Sequence, residues 1–137
     1  MLRTLLLYFC DTVNLHKVNR YWNEYHVYGY RPDEKLYDAY MDALYASHAT
    51  REFMKAFKNV MENNWKPTRR QWTRRLLLLA ESATEIDDVV TPFQAITRAG
   101  FELTREDYAI MLTAYARFKE CVYFLAMFSI AQYLDCI

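Results

Sequence analysis

A chain of 137 residues that is 53% hydrophobic and 17% aromatic is too apolar for disorder and has the length of one packed domain. Its 17 basic residues balance its 17 acids, so there is no global basic field and any nucleic-acid contact has to be local. Two glycines and three prolines are too few for the turns of a β-fold, and the composition predicts an all-helical protein.

Apolar residues recurring at i, i+3, i+4 and i+7 predict helices at about 2–13, 14–28, 34–47, 50–63, 69–82, 85–99, 105–117 and 119–135. The first helix carries Leu2, Leu5, Leu6 and Phe9 on one face. Met1 to Leu7 has one cation and no acid, as a short amphipathic targeting leader has, but the pattern places it inside the fold. The same face recurs as Tyr37, Tyr40, Met41 and Leu44, as Trp72, Arg75, Leu76 and Leu79, and as Tyr108, Met111, Leu112 and Tyr115. Only Arg75 interrupts it. Tyr37 and Trp72 are 35 residues apart, and Trp72 and Tyr108 are 36 apart. A period in this range signals stacked helical hairpins.

The alternate helices repeat as well. Val18, Phe53, Val89 and Phe124 form one column; Trp22, Phe57, Phe93 and Phe128 form the next; Tyr25, Val60, Ile96 and Ala131 form the third. The extra residue of the third copy is expected in the turn between Ser82 and Asp88. Pro92 then falls within a helix, which predicts a kink or a late start with Thr91 as N-cap. Asp33, Thr68 and Thr104 are placed as N-caps, Thr68 with Gln71 forming a capping box and Thr104 with Asp107 an approximate one. Gly29, Asn64 and Gly100 are placed where a helix ends in the left-handed conformation.

Chemistry-bearing motifs are sparse. Cys10, Cys121 and Cys136 have no ligand spacing and read as reduced core cysteines. His16, His26 and His48 match neither a metal site nor a nucleophile–base pair, so no catalytic residue, metal or cofactor is expected. No apolar run reaches the roughly 18 residues of a membrane span.

Between hairpins the chain repeats a phrase: Gly29-Tyr30-Arg31-Pro32-Asp33, then Asn64-Trp65-Lys66-Pro67-Thr68, then Gly100-Phe101-Glu102-Leu103-Thr104. A 35-residue hairpin opened by an aromatic and closed by Gly-aromatic-basic-Pro-Asp resembles the pentatricopeptide repeat. The tetratricopeptide repeat has a period of about 34 residues and a Trp-Leu-Gly-Tyr signature not seen here. The resemblance covers the chain in about four degenerate copies, at about 1–33, 34–68, 69–104 and 105–137. It implies an all-α, right-handed solenoid forming a single helical-repeat domain. It also implies single-stranded RNA as ligand, one base per repeat, in mitochondria or chloroplasts. The implied base-reading pairs are Arg3 with Asp33, Asp38 with Thr68, and Thr73 with Thr104, leaving Ala109 without a closing partner. These pairs depart from the family's usual Asn, Thr or Ser with Asp, Asn or Ser, and capping alone accounts for Asp33, Thr68 and Thr104.

Two features bear on function. Lys66, Arg69, Arg70, Arg74 and Arg75 lie within ten residues without an acid, beside Trp65 and Trp72. With Thr73 they form the candidate RNA-binding set, because arginine forks suit phosphate and aromatic rings stack on bases. An acidic protein surface is the other fitting partner. The second feature is the apolar ends, with Leu2, Leu5, Tyr123, Met127, Ile130 and Leu134 as a candidate protein interface, since a solenoid needs polar end repeats unless another chain covers it. Together these predict a non-enzymatic structural subunit of a mitochondrial (matrix) ribonucleoprotein, with the mitochondrial ribosome as the best match. Its partners would be other subunits and rRNA phosphate. The alternatives are a free RNA-processing or editing factor, and a protein–protein adaptor of a respiratory or ATP synthase assembly.

Overall fold

The computed structural model describes residues 2–118, which form seven α-helices and no strand. The helices are α1 (Leu2–Asp11), α2 (Leu15–Val27), α3 (Glu34–Ala46), α4 (Thr50–Glu62), α5 (Arg69–Ser82), α6 (Asp87–Arg98) and α7 (Arg105–Arg117). The predicted helix 119–135, and with it Tyr123, Met127, Ile130 and Leu134, lies outside the described residues. No helix among the described residues is long and apolar enough to cross a membrane.

The chain divides into two compact units that part between Pro67 and Thr68. In the first, α1 packs on α2 and α3, and α3 packs on α4 and α2. In the second, α5 packs on α6 and α7, and α6 packs on α7. The helical spacing of apolar residues explains the cores. Leu6, Val18, Tyr25, Leu36, Tyr37, Met41, Leu44, Phe53, Phe57 and Val60 are buried in the first unit. Trp72, Leu76, Leu78, Val89, Ile96, Tyr108, Met111 and Tyr115 are buried in the second. Cys10 is buried too, and burial, aided by the charges of Asp11 and Asp42, pushes its thiol up to about 12. It is therefore a neutral core thiol at physiological pH.

The recurring phrase is helix-terminating chemistry. Gly29, Asn64 and Gly100 all have positive φ, at 80°, 61° and 92°. At each, the left-handed residue's N–H bonds one carbonyl of the preceding turn and the next N–H bonds another: Gly29 to His26 and Tyr30 to Tyr25, Asn64 to Met61 and Trp65 to Val60, Gly100 to Thr97 and Phe101 to Ile96. This is the Schellman arrangement, which satisfies carbonyls that the helix leaves orphaned. After Gly29 the aromatic folds back on the helix it follows, the Tyr30 ring lying 5.2 Å from that of Tyr25. The chain then re-enters a helix through Asp33, Thr68 or Thr104. Each accepts an N–H three residues on, and Thr68 with Gln71 and Thr104 with Asp107 form complete capping boxes.

The turns inside the hairpins use the same device at less suitable residues. Val13 and His48, 35 residues apart, have φ of 54° and 55° and make the same pair of backward bonds. A β-branched valine is strained there. The turn after α5 escapes the constraint. It holds Ala83–Ile86, four residues against three after α1 (Thr12–Asn14) and three after α3 (Ser47–Ala49), and Ala83 is extended.

The expected late start of α6 is corrected. The helix begins at Asp87, Thr91 is interior rather than an N-cap, and Pro92 sits inside the helix with its ring buried. The Asp88 carboxylate accepts the N–H groups of Thr84 (3.1 Å) and Glu85 (3.3 Å) and the Thr84 hydroxyl (3.2 Å). These bonds hold its carboxyl below the usual range and fasten the first turn before the proline is reached.

Replacing Val13 by glycine removes the left-handed strain and is expected to raise stability by about 0.5–1 kcal/mol. The same replacement at the exposed helical Val27 is expected to lower it. Urea denaturation of the two variants checks both signs.

Candidate nucleic-acid interface

The N-terminal half of α5 carries Arg69, Arg70, Arg74 and Arg75. Arg70 is exposed, and the other three are partly buried. Arg70 and Arg74, four residues apart on a helix, present their guanidiniums on one face. Arg75, the break in the apolar column, lies on the packing seam. Its guanidinium carbon is 5.7 Å from the centre of the Trp72 ring, and burial lowers its pKa from the usual arginine value. A half-buried stem with a charged head on an aromatic face is how arginine tolerates a core edge. The Arg69 Nε is buried without a hydrogen-bond partner.

The charge at this helix start differs from that of four other helices, while the first turns of α1 and α2 likewise lack acids and carry Arg3 and Lys17. The first turns of α3, α4, α6 and α7 carry Glu34, Glu52, Asp87 with Asp88, and Glu106 with Asp107. Acids belong there, because unpaired N–H groups make a helix N-terminus partly positive. The first turn of α5 has no acid and begins with two arginines. Each exposed cation at such a position costs about 0.3–1 kcal/mol at low salt. An anion placed there gains from the dipole and from the guanidiniums together. The charge run is legible in the sequence; its contrast with the starts of α3, α4, α6 and α7 requires the helix boundaries.

The aromatic half of the expected site is arranged differently. Trp72 is 7% exposed and serves as core, so its ring is not offered to a base. Trp65 packs edge-on against Tyr37 in the first unit, with centroids 5.5 Å apart. Lys66 is exposed and lies just ahead of the end of that unit, at Pro67.

Thr73 is held from within. Its hydroxyl donates to the Asp107 Oδ1 at 2.8 Å. Asp107 is fully buried, and its Oδ2 accepts the Thr104 N–H at 2.8 Å. Thr73 and Thr104, one of the implied base-reading pairs, are thus joined through a carboxylate that the pairing did not include. A second implied pair also meets: Arg3 Nη2 lies 3.2 Å from Asp33 Oδ2. Arg3 and Thr73 each follow the opening residue of the repeating column, Leu2 and Trp72, 70 residues apart, and each reaches the capped start of a later first helix. Asp33 simultaneously accepts the Leu36 N–H at 2.8 Å.

Arg117 carries no signal in the sequence. Its guanidinium donates to the carbonyls of Ala80, at 2.8 Å, and Ala83, closing the C-terminal end of α5. A cation at a helix C-terminus is favourably placed. Of the expected interface residues in the first unit, Leu2 packs on the core formed by Leu6, Tyr25 and Leu36, while Leu5 is 37% exposed beside the exposed Tyr8.

Compared with protein-family models and with curated proteins, the chain matches none.

Thr73→Val keeps the side-chain shape but removes the donor to a buried carboxylate. It is expected to cost about 1–2 kcal/mol. Arg3→Ala, which removes an exposed ion pair, is expected to change stability by less than about 0.5 kcal/mol. Chemical denaturation of the two variants compares them directly.

Proposed function

We propose that this protein is a structural subunit of an RNA–protein assembly, contacting RNA phosphate through the N-terminal half of α5. The observation that carries this reading is the pair Arg70 and Arg74 on one face of a helix whose start, against the pattern of α3, α4, α6 and α7, is basic. Arg69 and Arg75 flank that face, and Lys66 adds charge just upstream in the chain. Phosphate recognition needs charge and forked donors but no free aromatic face, which suits a site whose Trp72 is buried.

Sequence-specific base reading has less support. Two of the three implied reader pairs are occupied by bonds within the chain, Arg3 with Asp33 and Thr73 with the Asp107–Thr104 box. A base would have to displace them. A bracing role in a large particle fits this better than selection of a transcript by a free processing factor.

The finer reading follows the sequence resemblance. On it, the hairpins form a right-handed pentatricopeptide-like solenoid of about four repeats. The organelle is the mitochondrion, and the assembly is a ribonucleoprotein of the mitochondrial ribosome type, with rRNA as the nucleic acid. The exposed Leu5 and Tyr8 would then meet a neighbouring subunit.

Exchanging both arginines for acids, Arg70→Glu with Arg74→Glu, tests the reading. In native extracts the wild-type chain is expected to run in a large particle that RNase disrupts, and the double variant to leave it. With a purified structured RNA, the slope of log affinity against log salt is expected to fall by about 1.4–1.8. Arg70→Glu alone is expected to be as stable as the wild type or slightly more so, because an acid in the first turn suits the dipole of a helix start. A particle that resists RNase and retains the variant would instead identify a protein–protein adaptor.

A further inference from the structure

The first unit holds a candidate site of its own. A groove of about 550 Å³ opens between α2 and α4. Both helices pack on α3 but do not approach each other closely, so the space between them is floored by α3. The floor is Tyr40, stacked on Trp22 with centroids 3.8 Å apart and planes 15° from parallel. Asn19 and Asn23 line one wall, and Glu52, Lys55 and Asn59 the other.

The walls are polar without being internally satisfied. Among the described residues, no hydrogen bond or ion pair occupies the side chains of Asn19, Asn23, Glu52 and Lys55. Asn59 bonds Tyr37. His26 is held by the carbonyl of Trp22, 2.8 Å from its Nδ1.

We propose that this groove binds an extended peptide segment of a partner protein through the segment's backbone. A carboxamide carries one carbonyl and one NH₂ group, so it can pair with the C=O and N–H of a peptide group at once. The spacing fits. Side chains four residues apart on a helix are separated by about 6 Å along its axis. In an extended chain, the N–H and C=O groups of one edge recur every second residue, at about 6.7 Å. Asn19 and Asn23 are therefore placed to meet successive peptide groups on one edge of such a segment. The walls run over about seven residues of each helix, roughly 10 Å, or three residues of extended chain.

Charge argues for peptide over nucleic acid. The groove has one carboxylate, Glu52, and one ammonium, Lys55. Their sum is neutral, as a peptide backbone is, whereas a nucleic-acid strand would bring a phosphate with every residue. Glu52 and Lys55 then select side chains of opposite charge at the groove's edge. The stacked Trp22 and Tyr40 supply an apolar floor for a side chain pointing inward.

The test uses the full-length chain and a displayed library of random eight-residue peptides. Selection is run on the wild type and on the double variant Asn19→Ala with Asn23→Ala, whose circular dichroism should match because neither side chain is in the core. Selected peptides are expected to bind the double variant about tenfold more weakly. Methylating alternate backbone N–H groups of a selected peptide is expected to cost a similar factor. The Arg70→Glu, Arg74→Glu variant is expected to bind these peptides as the wild type does, which separates this site from the RNA contact. The proposal is overturned if no peptide is enriched by the wild type over the double variant, or if enriched peptides tolerate methylation. It is equally overturned if the two asparagine substitutions weaken binding of a single-stranded RNA oligonucleotide and of no peptide.

Discussion

The capped start of each first helix is the constraint on which the rest of the structure depends. At Asp33, Thr68 and Thr104 the chain leaves an extended connection and must satisfy the orphan N–H groups of a new helix. In the first unit the cap receives Arg3 from α1, and in the second it receives Thr73 from α5 through Asp107. The cap is therefore both a local device and a tertiary one. It sets where a helix begins and where the preceding first helix lies against it. Asp107 shows what this double role demands: a fully buried carboxylate is tolerated only because the Thr104 amide and the Thr73 hydroxyl both donate to it.

Against this background the composition of α5 is informative. It shares the capping box with α7 but not the acids that follow it. Arg117 serves the other end of the same helix. Cations thus meet the two ends of α5 for opposite reasons, Arg69 and Arg70 from the helix itself and Arg117 from α7. At the C-terminal end Arg117 completes the fold, and at the N-terminal end the arginines oppose the dipole and leave it suited to an external anion.

The two units place different chemistry on their surfaces. The second presents guanidiniums, and the first presents carboxamides around an aromatic floor. A subunit with both would hold RNA by charge and protein by backbone pairing.

The seven described helices, the caps at Asp33, Thr68 and Thr104 and most of the buried columns were legible in the sequence. Apolar spacing, Ser/Thr/Asp placement and left-handed residues are local signals, and local backbone physics obeys them. Leu6, Met41, Phe53 and Ile96 are core because their helical faces leave no alternative. What tertiary structure alone decided is which polar groups meet. Thr73 looked available until Asp107 took its hydroxyl, Trp72 looked like a stacking surface until the core closed over it, and Thr91 looked like a cap until Asp88 fastened the turn ahead of it. The groove between α2 and α4 was invisible for the same reason. Its walls come from helices more than 20 residues apart in sequence, and only packing on a shared third helix brings their side chains to one space.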